Sequence, residues 1–168
     1  MWKGAWASVA DIVDLILADH TRIREMFAEL DHTAGSAREP GADGLGTRWK
    51  VLADLLETHV DAAEEIFCLA LFADADHGRV HRAEITADHD DIREAVGEAR
   101  FQPSGSRLWW NAVRAARAAA ADAMEAVECG PLPAFRHRAS RQRREMLGGQ
   151  WQAFITARAR DEAAGLDR

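Results

Sequence analysis

The chain of 168 residues has a formal net charge of −7, and 48% of its residues are hydrophobic. This length suits one domain with a sizeable core. The acidic balance argues against nucleic-acid binding, and no apolar run reaches the roughly 18 residues that cross a bilayer. The start of the chain lacks the pattern of a secretory signal, and the two cysteines form no CxxC motif. We therefore expect a cytoplasmic protein with reduced thiols that binds neither nucleic acid nor membrane.

Helical periodicity runs through the whole chain and is interrupted by segments rich in glycine, proline and aspartate. The predicted helices cover about residues 8–30, 47–71, 80–99, 107–128, 134–138 and 140–164. Ser8 is the expected N-cap of the first helix, and Asp31–Gly46 is expected to be a loop. Prolines at 131 and 133 should interrupt the fourth helix, because proline lacks an amide donor. With no period-two alternation, the sequence predicts a single all-α bundle.

Three histidines lie on the apolar faces of three successive helices. His20, His59 and His89 each have apolar residues one helical turn before and after them, so their rings should point into the core. A single buried histidine is usually satisfied by a hydrogen bond. Three neutral imidazoles that converge in a bundle are, however, the arrangement from which many metal sites are built. The pattern thus predicts a metal site and leaves ordinary core histidines as the alternative.

Three stretches of the sequence resemble the hemerythrin-like, HHE cation-binding family, and the similarity covers nearly the whole chain. They are ILADHTRIREMFAEL (Ile16–Leu30), ITADHDDIREAV (Ile85–Val96) and LWWNAVRAARAAAADAMEAVE (Leu108–Glu128). The resemblance implies an up-down four-helix bundle over about residues 8–128, with additional C-terminal helices at about 134–164. It also implies a non-haem diiron site with bridging carboxylates, and dioxygen, peroxide, nitric oxide or iron-sensing chemistry.

The family's ligand pattern is only partly present in this chain. The three histidines match ligand positions on the first three helices. Ala63 stands where the family has a bridging glutamate, Ala123 where it has a histidine, and Val127 where it has a second bridging glutamate. A site without these groups would suit at most one ion, such as iron, zinc or copper, on His20, His59 and His89.

Two glutamates lie near the lost carboxylate positions. Glu64 follows His59 by five residues and Glu128 follows Ala123 by five, which on a regular helix is about 140° away from the ligand face. A π-bulge would bring a fifth residue back onto that face. We therefore name Glu64 as the candidate fourth ligand, and Glu128 as a weaker one.

The small side chains at the lost positions also predict a cavity beside the histidines. In a second hypothesis the protein is metal-free, and this cavity binds or transforms an organic small molecule, with His20, His59 or His89 as acid or base. A third hypothesis is a structural or partner-binding remnant of the family. The sequence names no substrate that would decide among them.

Overall fold

The computed structural model describes residues 10–34, 42–72 and 78–166. Within these ranges the secondary structure is helical, and no strand occurs. In chain order the elements are α1 (Ile12–Ala34), α2 (Ala42–Ala62), a π-helical turn (Ala63–Cys68), α3 (Leu69–Phe72), α4 (Gly78–Arg100), α5 (Arg107–Cys129), α6 (Pro131–Arg138) and α7 (Arg141–Leu166). The predicted all-α fold is confirmed.

Four long helices enclose the core. α1 packs against α2 and α5, and α4 packs against the same two helices, so the four form a closed bundle. At one end of the core the indole rings of Trp49 and Trp109 meet edge to face, with centroids 6.1 Å apart. At the other end Phe67 packs against Phe135 of α6, with centroids 5.5 Å apart. The interior between these two aromatic contacts contains the three histidines.

The last helix, α7, lies against α1 and α2. The guanidinium of Arg144 donates a hydrogen bond to Asp11 at 2.6 Å, which ties α7 to the start of α1. A Cβ atom at Gly148 would lie 1.8 Å from the carbonyl oxygen of Ala10, so only glycine permits this close approach. The predicted C-terminal helix is therefore present and is an integral layer of the fold.

Several predicted boundaries are corrected by the structure. Helix α1 continues to Ala34 and α2 already begins at Ala42, so the loop expected at Asp31–Gly46 was drawn too long. Leu45 lies within the expected loop, but its side chain is buried in the core as part of α2. The expected cap Ser8 lies outside the described residues, whereas Asp11 accepts a hydrogen bond from the amide of Val13 at 3.0 Å and caps α1.

Near the proline-containing segment the chain stays helical for longer than expected. The break between α5 and α6 falls at Gly130, and α6 starts directly at Pro131. This is consistent with the tolerance of proline in the first turn of a helix, where its missing amide is not needed. In the described part of the chain, no helix is both long and apolar enough to span a membrane.

Candidate functional site

The three predicted histidines come together around one cavity in the middle of the bundle. His20 on α1, His59 on α2 and His89 on α4 all line it, and they are only 2%, 8% and 4% exposed. The rings of His20 and His59 are edge to face, with centroids 4.9 Å apart. The cavity has a volume of about 30 Å³, which is space for roughly two water-sized molecules.

The small residues at the lost ligand positions form part of the cavity wall. Ala63 on the π-helical turn and Ala123 and Val127 on α5 all line it. The rest of the wall is largely apolar, with Ile16 and Met124 among its side chains. A cavity therefore lies beside the histidines, and its use as a pocket for a small molecule stays a prediction. Its volume suits a small occupant, because an organic molecule would have to displace the packed wall.

The Nδ1 atom of each histidine contacts a carboxylate from another helical element. The contacts join Nδ1 to a carboxylate oxygen in every case: His20 to Glu128 at 2.6 Å, His59 to Asp19 at 3.2 Å and His89 to Glu64 at 3.0 Å. An ionised carboxylate only accepts hydrogen bonds, so we infer that each Nδ1 carries the proton and donates it. The opposite ring nitrogen, Nε2, then bears the lone pair.

Burial keeps the rings of His20 and His89 in their neutral form. The pKa of His20 is lowered to about 4, first by burial and next by the neighbouring His59, against the opposing effect of Glu128. Burial likewise lowers the pKa of His89, although Glu64 opposes this. Near neutral pH both imidazoles are thus uncharged. A neutral imidazole with a free Nε2 is the form that binds a metal ion or accepts a proton.

Two arginines hold the carboxylates in turn. Arg24 donates to Glu128 at 2.9 Å, and Arg93 donates to both oxygens of Glu64 at 2.9 and 3.0 Å. Burial alone would raise the pKa of both glutamates. The hydrogen bonds from the arginines and histidines outweigh it, and the pKa of each lies below its usual value. The carboxylates are therefore ionised and fixed, as residues that orient metal-bound histidines commonly are.

The structure places Glu64 behind His89 and not in the cavity wall. Its assignment as a fourth metal ligand remains a prediction. The π-helical turn that would have redirected it does exist, but this turn begins at Ala63, too late to rotate Glu64. Its effect falls on the residues that follow, because Phe67 and Cys68 both line the cavity.

Sequence reasoning missed three residues of the site: Asp19, Cys68 and Trp151. Asp19 immediately precedes His20 but supports His59 on another helix. Trp151 on α7 places its ring edge to face against His59, with centroids 5.5 Å apart. Nothing in the sequence of α7 indicated that this helix lies beside the histidines. Asp90, which follows His89 in the sequence, accepts a hydrogen bond from Arg93 at 3.4 Å.

The hemerythrin HHE cation-binding domain model matches residues 11–128 of this chain. The protein belongs to this family. The matched part contains the three histidines and their three carboxylate partners, whereas Trp151 and the rest of α7 lie beyond it. No curated protein and no solved structure matches the chain significantly. Membership of this family therefore predicts a cation site. The donors that this chain offers determine how many ions the site could hold.

The donors fit one ion better than two. The cavity wall offers three imidazoles, and Glu64 and Glu128, which lie outside that wall, are each already engaged by a histidine and an arginine. A pair of ions would need bridging carboxylates inside the cavity. Within residues 10–34, 42–72 and 78–166, no three histidine, cysteine, aspartate or glutamate side chains already stand at metal-holding positions. An ion would thus have to draw the histidine rings inward.

Proposed function

We propose that this hemerythrin-like protein binds a single metal ion, iron or zinc, through the Nε2 atoms of His20, His59 and His89. The observation that supports this most strongly is the pairing of all three Nδ1 atoms with carboxylates. Such pairing fixes the tautomer that leaves Nε2 free on each ring, and all three histidines line the same cavity. A buried histidine that serves only as a core residue also needs a hydrogen-bond partner, but that partner need not be charged.

The cavity determines what the ion could do. Three protein ligands leave a coordination position open, and an ion held in this way can bind and polarise a small molecule. The volume of about 30 Å³ admits a molecule of the size of dioxygen, nitric oxide or water. Apart from the histidines and Cys68, the wall is apolar. We infer that the protein binds or senses such a small molecule, in keeping with the oxygen-linked chemistry that the family resemblance implies.

The roles of the protein groups follow from their positions. The three imidazoles hold the ion; Asp19, Glu64 and Glu128 orient them and add negative charge just outside the cavity. Because Glu64 and Glu128 remain ionised, they lower the electrostatic cost of burying a divalent cation. Trp151 closes the face of His59 that is turned toward α7.

Competition with a coloured chelator under anaerobic conditions tests this proposal. We expect His59→Gln to lower the affinity for Fe(II) by at least about a hundredfold, since a direct ligand should cost more than an orienting group. The matched control is His32→Gln on α1, because the side chain of His32 is exposed. Equal Fe(II) affinities for both variants, with helical content retained in each, would contradict the proposed site.

A further inference from the structure

We propose that Cys68 supplies a fourth protein ligand, so that the ion is held by three histidines and one thiolate. This inference rests on the proposed single-ion site and specifies its ligand set. With four protein ligands a tetrahedral zinc ion would have no open position, whereas iron, which accepts more ligands, would keep one for a small molecule. Cys68 is 5% exposed and lines the same cavity as the three histidines.

The π-helical turn is what brings Cys68 to the cavity. On a regular α-helix, the nine steps from His59 to Cys68 would place the two side chains about 180° apart, on opposite faces. A π-helical turn holds one more residue than an α-turn and sets the rotation back by about 100°. Because the turn runs from Ala63 to Cys68, it moves Cys68 off the opposite face and toward the side of His59.

The same turn relates Cys68 to a vacated ligand position. Ala63 stands where the family resemblance places a bridging glutamate, and Cys68 follows it by five residues. The hydrogen bonds of a π-helix join residues five apart, so Cys68 lies one turn beyond Ala63 on nearly the same line. The sequence has thus lost a carboxylate at this wall, and the local backbone presents a sulfur there.

A thiolate would supply negative charge in direct contact with the buried cation. Three imidazoles bring no negative charge into the cavity, and the carboxylates that contact them do so at Nδ1. A divalent cation in an apolar cavity is costly without an anion in contact with it. On binding, the thiol would lose its proton to solvent and form one metal–sulfur bond. This would reduce the net positive charge of the ion and its ligands together by one. Sulfur and imidazole together favour zinc, iron or copper over magnesium or calcium.

The test is the absorption spectrum of the full-length protein loaded with Co(II), which reports sulfur ligation through a thiolate-to-cobalt charge-transfer band in the near ultraviolet. We expect this band in the wild-type protein, its loss in Cys68→Ser, and its retention in Cys129→Ser. Cys129 is a matched control, because it is the exposed cysteine of the two. Calorimetry in buffers of different ionisation enthalpy should show one proton fewer released per bound ion in Cys68→Ser than in wild type.

The outcomes separate this inference from the proposed function. If wild-type protein binds Co(II) through the histidines but shows no charge-transfer band, Cys68 is not a ligand and the single-ion site stands. If Cys129→Ser loses the band while Cys68→Ser keeps it, the assignment is wrong as well. If no ion binds at all, both proposals fail. Should Cys68→Ser fold poorly, the Cys129→Ser spectrum decides the question, because a band retained in that variant can come only from Cys68.

Discussion

His20 makes the metal-free protein sensitive to mild acid. Its pKa is lowered from 6.5 to about 4 in the folded protein, mainly by burial and next by the neighbouring His59. Between these two values the unfolded chain binds more protons than the folded one, so stability falls as the pH falls through this window. The full difference corresponds to about 3 kcal/mol, and about 2 kcal/mol of it is lost by pH 5. His89, whose pKa is also lowered, adds in the same direction.

Urea unfolding of chelator-treated protein, followed by tryptophan fluorescence, measures this effect at pH 7 and pH 5. We expect His20→Gln to reduce the loss of unfolding free energy between the two pH values by about 2 kcal/mol relative to wild type. His32→Gln should leave the loss unchanged, because this side chain is exposed. The reasoning would be refuted if wild type and His20→Gln lost the same free energy between pH 7 and pH 5.

Three further predictions concern the groups around the cavity. Glu64→Gln should weaken metal binding by roughly tenfold to a hundredfold in a chelator competition, since it removes the charged partner of His89; Asp54→Asn, which alters a surface pair with Lys50, should not. Trp151→Ala should lower the free energy of unfolding by about 3–5 kcal/mol, because it deletes a side chain that is only 2% exposed; a loss below about 1 kcal/mol in urea would show that α7 is not part of the core. Ala123→Leu should fill the cavity and abolish metal uptake at a cost of about 1–3 kcal/mol, whereas Ala121→Leu on the exposed face of α5 should bind metal normally.

The helices and the three histidines could be read from the sequence because both depend on local pattern. An apolar residue or a histidine that recurs with the helical period must lie on the buried face of its own helix. The small residues Ala63 and Ala123 likewise signalled a cavity, since a bundle with fixed helix spacing cannot fully close over missing side chains.

The groups around those histidines could not be found in the same way. Asp19 supports a histidine of a different helix, and Trp151 reaches His59 only because α7 docks on α1 and α2. Contacts of this kind depend on how helices pack, which local periodicity does not encode. Cys68 was not predicted as a site residue, because on a regular helix its side chain would point away from His59. The sequence does not show where a π-helical turn begins.

The most direct test of the single-ion site is the metal content of protein purified without a metal-chelating tag and reconstituted with Fe(II) or Zn(II). Elemental analysis should give about one ion per chain, and His59→Gln should retain almost none. A ratio near two, with an absorption band of bridged iron, would contradict the single-ion account in favour of a diiron centre. A ratio below about 0.1 in wild type would contradict metal binding altogether.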